Sequence, residues 1–322
     1  MSSPISISCA SDANYFCGLL VTLHSLVSYA TAERLVVHVL DMGLTDGNRQ
    51  DLVRELVSIP GHSVDVRFHA VDDGLFSRFP GLPRWRGGFA AYARLLLHEI
   101  LPEEQYTIYT DVDTLWLRDV SELWAMRTQV PVLAAVPDGS GLPELSSGER
   151  TKALFAAHGR EIDADAYFCS GLLFMNLEEL RRRDFTGQWV GFINEKLSLM
   201  NFPDQDLLNY LYPAPDTLLL DWRWGEFSTV YGMRGVEEPR VIHYARQTPW
   251  KKKITVANML WWDYVCTHIS NAKLKRNAWL RCFQYRLLRN SFFFKLVYWP
   301  LYFVNRRAYN KKRLSLSLEN MV

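Results

Sequence analysis

Apolar and polar positions alternate between two periods along the first seventy residues. Pro4–Ala10 reads as a strand, and Ser11-Asp12-Ala13-Asn14-Tyr15 as a short polar turn. From Phe16 to Tyr29 the apolar residues Leu19, Leu20, Leu23, Leu26 and Val27 recur at helical spacing. A second strand at Arg34–Leu40, a helix from Asp46 to Val57 and a third strand at Val64–Ala70 repeat the alternation. Strand–helix alternation of this kind predicts a doubly wound, mainly parallel sheet.

The pattern changes at Tyr106-Thr-Ile-Tyr-Thr-Asp-Val-Asp-Thr-Leu-Trp-Leu117. Tyr106–Tyr109 has the apolar, β-branched content of a buried strand, and it runs directly into Asp111 and Asp113. Side chains two apart on extended chain share a side. Both carboxylates can therefore reach one spot past the strand's C-terminal end, where open α/β sheets bind ligands. Paired carboxylates there suit a hard divalent cation; turn-forming aspartates are the plainer reading.

Around this centre, residues 72–88 are rich in proline, glycine and aromatics without periodicity and predict a long loop. Phe89–Leu101 predicts a helix with Tyr92, Leu95, Leu96 and Ile100 on its apolar face and Arg94 on the other. There Arg94 can reach a phosphate or sugar hydroxyl, or be solvated. Val132–Val136 predicts a strand ending at Pro137-Asp138-Gly139. Phe168–Asn176 predicts another, whose interior Gly171 admits a close approach to the backbone. Asp204, Gln205 and Asp206 sit at a helix N-terminus, as caps or as a substrate-gripping cluster. Val241-Ile-His-Tyr244 is a short strand carrying His243, followed by Arg246, Thr248, Pro249, Trp250 and three lysines. A third metal ligand with diphosphate-binding cations fits this run, and so does a basic surface loop. Asp12 and Asn14 can bond a base or ribose and Tyr15 can stack on one, or they cap the first helix. His24, His38, His62 and His69 lack metal-ligand spacing and read as structural.

Charge separates the chain in two. Residues 271–322 hold 12 Lys/Arg and one acid, whereas the first 270 residues are net acidic within an overall charge of +1. Ser291–Val304 is aromatic, flanked by Arg and Lys, and at 14 residues too short to span a bilayer. This fits an interfacial segment on anionic lipid, or a core helix with a basic face. The expectation is a catalytic body, 1–255, with a membrane-association extension, 256–322, that contacts an anionic membrane surface through 271–313. No nucleic-acid motif accompanies the charge. Five cysteines without Cys-x-x-Cys spacing suggest reduced thiols. The N-terminus lacks a signal-peptide pattern.

Taken in order, Ala10–Tyr15, Tyr92–Leu95, Tyr109–Asp113, Ser170–Asn176, Pro203–Asn209, His243-Tyr244 and Pro249-Trp250 resemble family 8 of the retaining glycosyltransferases. The likeness is greatest to its bacterial lipooligosaccharide branch and covers about residues 4–250. It implies a GT-A type α/β fold on a single mixed, mainly parallel sheet. By resemblance Asp111, Asp113 and His243 would bind Mn²⁺ (or Mg²⁺), and Asp12, Asn14 and Tyr15 would hold uridine. Asp111, Val112, Arg246 and Lys251 would complete the nucleotide contacts. Arg94 and Asp204 would orient the donor sugar, Asp138 would contact donor or acceptor, and Gln205 would face the anomeric carbon. The implied reaction moves galactose or glucose from a UDP-sugar to a glycan or glycolipid acceptor, on the cytoplasmic face of the membrane. Two departures stand out: Cys169 replaces the family's Asn, and Ala245–Thr248 is one residue shorter, without the family's Gly and Lys.

Two rival classes share parts of this pattern. Asp111-Val-Asp-Thr-Leu resembles the first motif of aspartate-nucleophile phosphatases, but that motif normally begins the fold. A non-catalytic sugar-nucleotide-binding module is the other, supported by the altered 245–248 loop.

Overall fold

The computed structural model describes residues 4–79, 81–84, 88–142, 145–196, 201–231, 239–245, 248–250, 256–276 and 278–279. Among the described residues ten strands form two sheets. The larger is ordered β3-β2-β1-β4-β7-β6-β8, with β1 Ile5–Ser11, β2 Arg34–Asp41, β3 Ser63–Ala70, β4 Tyr106–Thr110, β6 Leu133–Pro137, β7 Phe168–Asn176 and β8 Thr217–Leu219. β3, β2, β1 and β4 run parallel; β7 is antiparallel to both β4 and β6, and β8 is parallel to β6. The mixed, mainly parallel sheet that the resemblance implies is therefore present, where the alternation alone suggested a parallel one. A second, three-stranded sheet, β5-β10-β9 (Thr114–Trp116, Val241–His243, Glu226–Phe227), adds to the single sheet expected.

Both faces of the inner strands β1, β2, β4, β6 and β7 are covered, so these read as largely apolar runs, whereas the edge strand β3 alternates. Neighbours in β7 divide between the two cores: Phe174 belongs to the one that holds Leu19, Val37 and Trp261, and Leu173 to the one that holds Tyr92, Trp189 and Leu207. The Phe16–Tyr29 helix buries Leu19, Leu20, Leu23, Leu26 and Val27, as its spacing predicts. Thr45 and Asn48 form a reciprocal capping box on the Asp46–Val57 helix. The Val256–His268 helix places Ala257, Trp261 and Val265 in the same core as β1.

The sequence reading is corrected in two places. Phe89–Leu101 is a 3-10 helix at Ala90–Leu96 followed by one α turn, Leu97–Ile100. At about three residues per turn, Arg94 comes round to the inside and is buried, not solvated. The 72–88 stretch includes a helical turn at Asp73–Phe76, capped by Asp72.

Two features of the sheet position the site. β1 leads to β2 on one side and β4 lies on its other side, so the order of strands reverses between β1 and β4; ligands bind at such a point. In β6, Ala135 faces Leu173 while the next residue, Val136, faces Cys169. Ser170, Gly171 and Leu172 are thus left over in β7, an irregularity of the kind that re-aims groups beside active sites.

Candidate active site

Asp111 and Asp113 occupy the turn between β4 and β5, and His243 ends β10, which pairs antiparallel with β5 so that His243 faces Thr114. This pairing carries the imidazole to the carboxylates. His243 Nε2 lies 3.4 Å from Asp113 Oδ1 and 3.8 Å from Asp111 Oδ2. One ligand atom from each residue falls within a 4.8 Å cluster, the metal-capable grouping found among the described residues. The imidazole lies against the backbone of β7: a Cβ on Gly171 would meet His243 Cε1 at 2.2 Å. Phe227 stands edge-on to the ring, with centroids 5.6 Å apart, and Cys169 Sγ is 3.8 Å from Nδ1.

Arg94 is the electrostatic hub. It donates to Asp111 Oδ1 at 2.7 Å and to the Ser170 carbonyl, sits 4.5 Å from the Tyr109 ring centroid, and has Nε 3.1 Å from Asp204 Oδ2. Its Nε–H is directed at the Ala91 carbonyl. Asp204 Oδ2 is therefore a buried oxygen near a cation yet without a hydrogen-bond donor among the described residues, a situation that needs an explanation. Burial raises the Asp111 carboxyl above its ordinary range against the pull of Arg94. Burial would do the same to Asp113, but its bond with His243 and that charge bring it below. Burial opposes charge on His243, and the bond to Asp113 outweighs it, raising the imidazole well above its usual value. Like-charged carboxylates tied to one imidazole are what a divalent cation would replace protons on.

Gln205 and Asp138 line the same cleft, a cavity of about 170 Å³ open to solvent. Gln205 Oε1 accepts from Ser170 N at 3.2 Å, and Asp138 Oδ2 accepts from Ser147 N at 2.8 Å. Of the acidic run on the Pro203–Leu211 helix, Asp206 is structural: it is fully buried and accepts from Tyr167 Oη, Asn201 N and Phe202 N, each at 2.6 Å.

Asp12, Asn14 and Tyr15 are not among the residues lining that cavity. Asp12 Oδ1 accepts from Asn14 N and Tyr15 N, which caps the 3-10 turn Ala13–Tyr15 leading into the first helix rather than that helix itself. They flank the β1 end of the same switch point, where Tyr15 packs edge-on to Trp250. The Val112 carbonyl accepts from Thr22 Oγ1 at 2.9 Å. Arg246 and Lys251 lie outside the described residues. The sequence reading missed Tyr109, whose hydroxyl donates to Asp111 at 3.0 Å, and Ser170, whose backbone joins Arg94 to Gln205. Tyr109 looked like core because it is core, and only its hydroxyl reaches the site.

A carboxylate–imidazole cluster able to hold a divalent cation thus lies beside a buried arginine at the switch point of an open α/β sheet, where such folds bind nucleotides. The "Glycosyl transferase family 8" model matches residues 6–253, most of the length, and this chain belongs to that family. It is 26% identical to General stress protein A of Bacillus subtilis, over 76% of this chain and 86% of that one. It is 23% identical to lipopolysaccharide 1,2-glucosyltransferase of Escherichia coli K12, over 78% and 77%. Among solved structures, galactosyltransferase LgtC in complex with donor and acceptor sugar analogues superposes with a TM-score of 0.64 at 24% identity, covering 85% of this chain and 95% of that one. The fold is the GT-A type, and the protein is a glycosyltransferase. Enzymes of this family and fold use a nucleotide sugar and a divalent metal, and the donor set here suits one.

Proposed function

We propose that the protein is a retaining transferase that moves a hexose, galactose or glucose, from a UDP-sugar to a hydroxyl of a cell-surface glycan or lipid-linked acceptor. The observation that carries the reading is the Asp111–Asp113–His243 cluster beside Arg94, Asp204 and Gln205 in one cleft. Two carboxylates and an imidazole fit Mn²⁺, with Mg²⁺ less suited to the nitrogen. Asp111, Asp113 and His243 would hold the ion, which supplies Lewis-acid stabilisation of the departing diphosphate. Asp12, Asn14 and Tyr15 take the uridine end, with Val112, Arg246 and Lys251 assigned to the rest of the nucleotide.

Donor-sugar hydroxyls satisfy Asp204 Oδ2, which accepts no hydrogen bond among the described residues. Arg94 fixes Asp111 and Asp204 in one rigid array, and Asp138 meets donor or acceptor at the mouth. Gln205 faces the anomeric carbon, and an amide is a poor nucleophile. Retention then follows from the acceptor arriving on the face UDP leaves, through an oxocarbenium-like state, with Gln205 stabilising charge by its dipole.

The relatives that act on lipopolysaccharide support a lipid-linked acceptor of that type. The basic extension 256–322 follows the body at 1–255 and keeps its first helix, Val256–His268, in the body's core. Its basic run 271–313 is assigned to an anionic membrane on its cytoplasmic face, and Trp279 in that run is 63% exposed. No helix among the described residues is long and apolar enough to cross a membrane; 280–322 lies outside them. UDP release from a panel of UDP-sugars, with Mn²⁺ or a chelator, tests the reading. Release from one donor, abolished by chelation and by Asp113→Ala, is the expected result. Phosphate release instead, or no UDP binding by calorimetry, would overturn it.

A further inference from the structure

The large sheet ends on one side in the three-residue β8 and on the other in β3, eight residues long with neither proline nor glycine. Natural edge strands are commonly short, bulged or broken by proline, because their unpaired N–H and C=O groups recruit other strands. Among the described residues no strand pairs with the outer edge of β3. Val64, Val66 and Phe68 pack only partly against the core, while Ser63, Asp65 and Arg67 are exposed on the other face.

Charge is the remaining device that would keep a second strand away, and here it is self-complementary. Asp65 and Arg67 flank Val66, share one face, and pair with each other at 2.8 Å while 56% and 50% exposed. Consider two β3 strands lying antiparallel about a two-fold axis at Val66. Asp65 then faces the second copy's Arg67 twice over, Val64 faces Phe68 twice, and Val66 faces itself. Directly opposed unlike charges and aromatic–β-branched pairs both stabilise adjacent strands. Centring the axis on Asp65 or Arg67 sets like charges against each other, and so does parallel pairing. Axes between residues oppose charged and apolar faces, against the pleat.

We propose that β3 is a homodimer interface, through which two copies of this chain pair antiparallel about Val66 and join their sheets into one. The interface is isologous, as a closed dimer requires, and β2, β1 and β4 separate it from the β7–β6 irregularity beside the cleft. It stands independently of the transferase reading.

Sedimentation equilibrium of the full chain over a concentration series tests it. The expected mass is twice the 37.3 kDa of the chain. Arg67→Asp sets two negative charges against each other on both sides of the axis and is expected to weaken the dimer about tenfold or more. Asp65→Arg does the same with the opposite sign. The double variant Asp65→Arg/Arg67→Asp restores unlike pairs and should dimerise as the wild type does. Both positions are exposed, and circular dichroism melts check that each variant folds. A wild type that stays monomeric throughout overturns the proposal. So does a dimer indifferent to Arg67→Asp, or a double variant that remains monomeric.

Discussion

Replacing Gly171 by alanine separates metal binding from folding at a single atom. The added Cβ would lie 2.2 Å from His243 Cε1 and 2.9 Å from both ring nitrogens. Carbon atoms rest no closer than about 3.5 Å, so the ring or the strand must retreat by about 1.3 Å. Phe227 and Cys169 obstruct the ring. Moving the strand instead shifts the Gly171 carbonyl, which accepts the Asp111 N–H at 2.8 Å. Either response exceeds the ~0.2 Å that metal–ligand distances tolerate. Mn²⁺ affinity should fall about 10–100-fold, the loss typical of disturbing a ligand's support. Folding should suffer less: crowding costs roughly 1–3 kcal/mol, offset by about 0.5–1 kcal/mol from removing glycine's backbone entropy. Mn²⁺ titration calorimetry beside a thermal melt reads both. In a His243→Ala background the methyl has nothing to strike, so the same substitution should cause no further loss of Mn²⁺ affinity. Wild-type Mn²⁺ binding by Gly171→Ala, or full additivity with His243→Ala, would refute the assignment of His243 as a ligand.

Asp206→Asn turns an amide toward three donors and should cost about 2–3 kcal/mol of stability by urea unfolding. Asp204→Asn, two residues earlier, should abolish UDP release with a smaller change in the urea midpoint; equal stability losses would contradict the division of roles. Gly18→Ala places a Cβ 2.6 Å from the Val112 carbonyl and 2.2 Å from the Trp250 ring. It should lower the melting temperature and expose Trp250, read by tryptophan fluorescence. His24 and His98 are each depressed to about 4, chiefly by burial. Below pH 6.5 the unfolded chain takes up protons that the folded chain refuses, so stability should fall as pH drops from 6.5 to 4, by on the order of 2–3 kcal/mol per histidine. His243, raised rather than depressed, acts above pH 6.5 and does not mask this window. A urea midpoint that is flat or rising between pH 6.5 and 4.5 would contradict it.

The inner strands were legible because burial on both faces leaves apolar runs such as Leu35–Val37 and Leu172–Met175, and the first long helix because its buried residues recur at helical spacing. Asp111, Asp113 and His243 could be named as candidates, and the structure brings them together. What joins them was not legible. β5, β9 and β10 are two or three residues long, too short for any period to register. A period of 3.6 residues turns Arg94 outward, whereas the chain winds more tightly there and turns it in. Its burial is sustained by Asp111 and Asp204, residues 17 and 110 positions away, which no local pattern reports. Asp206 shows the reverse: an acid in a promising run whose bonds all go to the protein's own framework.

The pairing of β10 with β5 also sets the order in which the enzyme can come into being. Every strand of the large sheet has been made once residue 219 is synthesised. The last member of the ligand cluster arrives 130 residues after Asp113, held by the Tyr244 N–H on the Asp113 carbonyl. Such a distant contact closes a long loop and comes late. A nascent or truncated chain can therefore own a complete sheet, and both aspartates, while lacking any place to hold its ion.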